Sequence, residues 1–382
     1  KFNKWGLYAN VIGEVIETKE VIISHKGNTV AQIPTSALSD DTPVNFHNMI
    51  NNPPEDILKK WEWKENYLPE IHDQKIFSLK EQKNFSYSEI ILKLLSNPSI
   101  ASKRWIYEQY DSQVQANTVF KPGKSDAAVL RLREQNKKNK SELFSGVAAS
   151  VDCNSRWVAL DPYRGTIAAV AESARNVSCV GAEPVAITNN LNFSSPDNEI
   201  GYWQLSSSCN GIAEACKILE TPVTGGNVSL YNESKNKDNV VTPINPTPVI
   251  GMVGKIDNVE KAISSEWKNI DDQIWLIGSY KSEIKIAASS YLEYFHGEIT
   301  GRPPKIDLLD EKCCQNFLRD AILKGFVVSS HDISDGGLAI ALAESCILST
   351  KGALIELEKD LNREDNLLFA EGGSRIIFSI SK

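Results

Sequence analysis

From about Trp105 onward, short β-branched runs alternate with helical stretches, and this interleaving restricts the chain to an α/β or α+β architecture. Val129-Leu130-Arg131-Leu132-Arg133 and Val147-Ala148-Ala149-Ser150-Val151-Asp152 read as strands. A helix follows over 166–180, where Ala168, Ala169, Ala171, Val177 and Val180 make a small-residue face suited to close packing. A strand at 185–188, a helix at 212–219, a strand from Val223 and another at 249–254 complete a first unit. A second unit starts at 273–278 and runs through a helix at 317–324, a strand at 326–329, a helix at 338–348 and a strand at 375–380. The division between the two falls near 255–270.

Upstream, the pattern is different. Val21-Ile22-Ile23 and Thr29-Val30-Ala31 flank the turn-forming Lys26-Gly27-Asn28, which predicts a hairpin, and Val11 to Ile16 reads as a further strand. Too little is present in 1–46 to close a sheet, so these residues read as the end of a preceding domain. After the break at Asn51-Asn52-Pro53-Pro54, residues 47–104 read as a connector containing a helix around 90–95 that stops at Asn97-Pro98. Both ends look cut from something longer. The polar, basic run from Gln135 to Lys140 reads as a solvated loop.

Composition removes several function classes. With 41 basic and 49 acidic residues the net charge is −8, which argues against a nucleic-acid binder working by phosphate neutralisation. No apolar run approaches the roughly 18 residues of a membrane helix. The 7 cysteines are scattered with no CxxC pair, which disfavours a disulfide scaffold or a thiolate zinc site and suits a reducing cytoplasm. Lys124-Ser125 lacks Walker spacing, and no GxGxxG opens a βαβ unit.

Three strand-to-loop transitions carry the chemistry-bearing residues. In Thr224-Gly225-Gly226-Asn227-Val228-Ser229, two glycines let backbone pass close to a ligand, and in an extended segment Asn227 and Ser229 leave on one face. An amide oxygen suits a hard cation, and a hydroxyl suits a phosphate. The alternative is a glycine turn followed by an ordinary polar edge. In His331-Asp332-Ile333-Ser334-Asp335-Gly336-Gly337, a strand end enters an apolar helix whose first amides could face an anion, or the loop is simply a well-capped helix start. His331 there reads as a satisfied structural histidine. Asp161-Pro162-Tyr163-Arg164-Gly165, with Asp152 on the preceding strand, reads as a turn and helix start. Asn189, Asn190 and Asn192 end a strand with three amides, able to hold a nucleotide or to form an Asx turn.

Taken together, these segments are more specific than any one of them. Tyr110-Asp111-Ser112-Gln113-Val114-Gln115-Ala116-Asn117-Thr118-Val119, Asp126-Ala127-Ala128-Val129-Leu130-Arg131, Thr188 to Phe193, Gly225 to Glu233, Pro246 to Gly251 and His331 to Leu338 resemble the large synthetase subunit family of phosphoribosylformylglycinamidine synthase. The order and spacing agree over about 105–382, and Gln113 to Thr118 is more like the small, separate-subunit form.

That resemblance implies a fold of the aminoimidazole-ribonucleotide-synthetase superfamily, with a barrel-like N-terminal-type domain at 105–258 followed by an α/β C-terminal-type domain at 259–382. It implies ATP-dependent amidation of formylglycinamide ribonucleotide with ammonia from glutamine, in purine biosynthesis in the cytoplasm, with magnesium and ATP. It also implies a glutaminase subunit and a small bridging subunit as partners. By position, Asn189 and Gly226 fall at ATP contacts, Asn227 at a magnesium ligand and Ser229 at a substrate contact. Asn189 stands where many members have Asp, so it brings no charge to a metal or ribose. Asp335, Gly336 and Gly337 fall at a pseudo-equivalent site that holds a nucleotide in some members. The family's catalytic residues lie in the half that precedes this one. Alternatives are another ATP-using enzyme of the superfamily, such as aminoimidazole ribonucleotide synthetase or selenophosphate synthetase, or a non-catalytic nucleotide-binding half.

Overall fold

Lys26 and Gly27, both at positive φ, turn β1 (Glu20–His25) back onto β2 (Asn28–Pro34) in the expected antiparallel hairpin. The computed structural model describes residues 1–44, 52–133, 144–278, 284–357 and 363–382. The basic run at 135–140 and the expected boundary at 46/47 lie outside the described residues. The hairpin belongs to a first compact unit, Lys1–Asn48. In it, Val11 to Ile16 forms no strand, and Val11, Ile12 and Val15 are exposed. A strand needs a neighbour for its backbone groups, and among the described residues no ladder reaches this segment.

The second unit is Met49–Lys382. It opens with α1 (Glu55–Trp61), the hairpin β3 (Lys75–Ser78) and β4 (Lys83–Ser86), α2 (Tyr87–Leu95) and the short α3 (Arg104–Tyr107). Ser86 and Glu89 form a capping box that starts α2. Ile76, Phe85, Ile90 and Leu94 are buried in one cluster with Tyr291, Phe295, Ile340 and Phe369. Through these residues the helices and hairpin of this stretch pack on the rest of the second unit.

A five-stranded sheet comes next, built from β5 (Ala128–Arg131), β6 (Gly146–Asp152), β7 (Glu183–Asn192), β8 (Val223–Ser229) and β11 (Thr247–Ile256) in the order β5-β6-β11-β7-β8. Only β7 and β8 run parallel; the other pairings are antiparallel. Between strands lie α4 (Ser155–Leu160), α5 (Pro162–Cys179) and α6 (Glu199–Leu219), and a small hairpin of β9 (Glu233–Lys235) and β10 (Val241–Pro243) precedes β11. Asp161 caps α5 by accepting a 3.0 Å hydrogen bond from the Arg164 amide, and Pro162 occupies the first turn. Alternation along the strands puts Val129, Ala148, Ile187, Ile250 and Met252 on one face, buried with α5. Burying side chains the size of Ile250 and Met252 contributes about 1.5–3 kcal/mol each. The other face of the sheet is open: Leu130, Val151 and Val253 are exposed on it, Val151 by 72%.

The last part is a three-stranded antiparallel sheet, β12 (Gln273–Ile277), β13 (Val327–Asp332) and β14 (Ile376–Ile380), ordered β12-β14-β13. α7 (Leu308–Leu323) packs on one side through Leu318 and Ile322 against Ile376 and Phe378. α8 (Gly337–Ser349) packs on the other through Leu338 and Ala341 against Ile377. The short α9 (Glu364–Phe369) precedes β14.

Candidate nucleotide and substrate site

The diglycine segment is not a bend. Gly225 and Gly226 lie inside β8, and neither has positive φ. What Gly226 needs is space. In the parallel register it stands opposite Asn189, and a Cβ built on it would collide with Asn189 Oδ1. Gly225 has nothing within 4 Å of an added Cβ.

The same register sets Asn227 opposite Asn190 and Ser229 opposite Asn192. Asn227 Nδ2 donates to Asn190 Oδ1 at 3.0 Å, which leaves Asn227 Oδ1 available as an acceptor. Asn192 Nδ2 donates to Thr247 O at 3.1 Å and to Asn190 O at 3.0 Å. Ser229 Oγ exchanges hydrogen bonds with the Asn232 amide, which also donates to Phe193 O. Sheet alternation thus gathers Asn190, Asn192, Asn227 and Ser229 into a polar patch on the open face, at the β8 edge. Asn227 is exposed and Ser229 half-buried. Asn189 and Gly226 sit together on the opposite face of the same two strands. The two expected nucleotide contacts are therefore adjacent, as are the expected metal and substrate contacts, with the edge strand between the pairs.

The loop from β13 into α8 is spent differently. Asp335 Oδ1 accepts from Asn154 Nδ2 at 3.2 Å, from Ser290 Oγ at 3.3 Å and from Arg156 Nη2 at 3.5 Å. The Gly336 amide donates to Glu371 Oε1 at 2.7 Å, and the Gly337 amide donates to Ser334 O at 3.0 Å. Gly337 has φ 72°, and a Cβ there would lie 2.6 Å from Ala370 O. The cavity beside this loop is about 10 Å³, lined among others by Asn154, Glu172, Arg175, Asp335 and Glu371.

Two arginines organise that region, and neither was singled out from the sequence. Arg156 reaches Glu293 at 2.7 Å and Glu371 at 3.1 Å. Arg175, on α5, grips Glu311 at 2.9 Å and Asp332 at 2.6 Å with all three side chains buried. The available signal was a Glu172 and an Arg175 inside an otherwise small, apolar helix. Burial pushes the Asp152 carboxyl up to about 6, with the charge of Asp332 adding to it. Burial likewise raises Glu172 and Asp332, and lifts Glu371 to about 7 against the pull of Arg156. Asp332 Oδ2 is buried without a hydrogen-bond partner. His331 is satisfied, with Nδ1 2.6 Å from Asp126 and Nε2 3.0 Å from Glu344, in keeping with a structural histidine. Among the described residues, no group of three or more His, Cys, Asp or Glu side chains is arranged to hold a metal ion. No described helix is long and apolar enough to cross a membrane.

The helix-backed mixed sheet and the smaller α/β layer after it lie in the residues over which this chain matches the AIR synthase related proteins. Their N-terminal domain matches residues 124–256 and their C-terminal domain residues 269–382, together more than half of the chain, and the chain belongs to this family. Over 382 residues it is 89% identical to phosphoribosylformylglycinamidine synthase subunit PurL of Prochlorococcus marinus (strain MIT 9215), covering 100% of this chain and 49% of that protein. It thus spans about half the length of the curated relatives it matches. Structures of Thermotoga maritima PurL complexed with ATP (TM-score 0.54, 23% identity, 96% of this chain and 47% of that one) and with FGAR (TM-score 0.55, 22% identity, 97% and 46%) share the fold.

Proposed function

We propose that this chain supplies one part of an ATP-dependent amidating enzyme that converts formylglycinamide ribonucleotide to formylglycinamidine ribonucleotide, a ligase reaction of purine biosynthesis in the cytoplasm. ATP phosphorylates the glycinamide carbonyl oxygen and leaves as ADP, ammonia adds at that carbon, and phosphate departs as the amidine forms. The observation that carries this reading is the polar patch of Asn190, Asn192, Asn227 and Ser229 gathered on an open sheet face at the edge strand.

Each residue has a part suited to its chemistry. The Ser229 hydroxyl bonds the ribonucleotide substrate. A nucleotide at the Gly226 backbone meets the neutral Asn189 amide directly beside it, with Asn189 Oδ1 filling the place a Cβ would take. Asn227 offers one hard oxygen, Oδ1, because its amino group is occupied by Asn190. One neutral oxygen fits magnesium only as a member of a shared ligand set, in which nucleotide phosphates supply the charge. Magnesium bound there offsets charge on the phosphoryl oxygens. The catalytic residues belong to polypeptide outside these 382 residues, and residues 105–258 and 259–382 act as the N-terminal-type and C-terminal-type domains behind the site, following the 1–46 end and the 47–104 connector. Ammonia comes from a glutaminase subunit, with a small bridging subunit completing the assembly.

A second nucleotide at Asp335, Gly336 and Gly337 has to draw the Gly336 amide away from Glu371. Thermal-shift titration of the full protein with Mg-ADP measures this: a stabilisation that Asp335→Ala removes supports the second site, and its absence counts against it. The main reading is tested by steady-state amidation in the full protein. Ser229→Ala is expected to raise the KM for the ribonucleotide, and an unchanged KM contradicts the role given to Ser229.

A further inference from the structure

β12 is an edge strand. It pairs with β14 on one side and has no ladder partner on the other among the described residues. Alternate N–H and C=O groups of Gln273 to Ile277 therefore point away from the sheet. Beside that edge run Gly352-Ala353-Leu354-Ile355-Glu356-Leu357, an apolar run of strand-like composition that belongs to no ladder. Leu354 is 98% exposed and Trp275 50%. Between the strand and this run lies a cavity of about 1060 Å³, lined by Trp267, Ile270, Trp275, Leu276, Leu354 and Leu357 among others. Unpaired strand edge, unpaired apolar segment and a large cavity thus coincide at one place. Large apolar side chains are costly to leave in water, and an unpaired strand edge is a ready template for another strand, so one added strand would cover the first and pair the second.

We propose that a segment of the longer protein, outside these 382 residues, inserts into this groove as a β-strand along β12, with residues 352–357 as its other wall. Its alternate residues are apolar where they meet Leu276 and Trp267. A basic residue near one end would face Asp271 and Asp272, which also line the cavity.

Two observations favour the same protein over a second copy. The relatives are about twice as long as this chain, so unassigned polypeptide exists. A second copy pairing β12 to β12 would have to displace the 351–357 wall. That wall is tied down: Leu357 packs on the cluster of Trp267, Leu338 and Ile377, and Lys351 Nζ donates to Trp267 O at 3.2 Å.

Residue-resolved amide hydrogen exchange on the full-length protein tests this. The amides of residues 273–277 that do not bond β14 are expected to exchange at least about 100-fold more slowly than in unstructured chain, independently of protein concentration and of added partner subunits. Exchange at the unstructured-chain rate overturns the proposal. Protection that grows with concentration assigns the groove to a second copy, and protection that needs a partner subunit assigns it to that partner; both also overturn it. As a second readout, Leu354→Cys in the full-length protein is expected to react with maleimide at least about 10-fold more slowly than an unstructured thiol. Labelling at the unstructured rate contradicts the insertion.

Discussion

Gly226 and Asn189 stand opposite each other on parallel strands so closely that the Asn189 side-chain oxygen occupies the place a Cβ on residue 226 would need. Gly226→Ala must push β8 away from β7 or turn Asn189 aside. A destabilisation of about 1–3 kcal/mol is expected, the range for overpacking. Gly225→Ala meets nothing within 4 Å and is expected to be neutral or stabilising by up to about 1 kcal/mol, since alanine costs less strand entropy. Urea denaturation of both variants checks the contrast; equal effects would mean the close approach carries no constraint.

Arg175 holds Glu311 and Asp332 in a buried cluster joining α5, α7 and β13. Arg175→Met removes the countercharge and leaves two buried carboxylates facing each other. Breaking such a cluster costs about 3–5 kcal/mol, and a correspondingly lower urea midpoint is expected. A variant within about 1 kcal/mol of the parent would show that the carboxylates find other partners.

Asp152 titrates near 6 in the folded chain against an ordinary value of 3.8. The folded state therefore binds this proton more tightly than the unfolded state. Its contribution to stability is fullest below the unfolded value and is lost as pH rises through about 6. Asp152→Asn removes that loss, so the variant is expected to exceed the parent by up to about 3 kcal/mol near neutral pH. The gap should close as pH falls from about 7 to about 4.5. Denaturation curves across this range check it; a gap that widens toward acid would contradict the assignment.

Much of this fold is legible in the sequence because periodicity reports burial. The hairpin at Lys26-Gly27, the strands at 147–152 and 249–254, and the apolar helices at 166–180 and 338–348 all appear where residue spacing puts them. Legibility fails where structure depends on partners distant in sequence. Val11 to Ile16 has strand composition but no ladder to join among the described residues, while α6 begins at Glu199, well before 212, because its Ser206-Ser207-Ser208 run hides the helix period. At the candidate site, the exit of Asn227 and Ser229 on one face follows from alternation alone. The close approach of Asn189 to Gly226 does not, because it depends on a parallel partner 37 residues away. Likewise Arg156 and Arg175 look like ordinary helix charges until the fold brings Glu371, Glu311 and Asp332 to them.

The central claim is that the β8 edge forms a wall of the pocket in which ATP and the ribonucleotide react. Ammonia-dependent ADP formation by the full-length protein, followed across a magnesium titration, tests it most directly. Asn227→Ala is predicted to raise the magnesium needed for half-maximal rate by about 10-fold, about the lower end for a lost metal-site contact, and to do so more than Ser229→Ala. If both variants keep the parent's rate and magnesium dependence, the patch of Asn190, Asn192, Asn227 and Ser229 lies outside the reaction and the account fails.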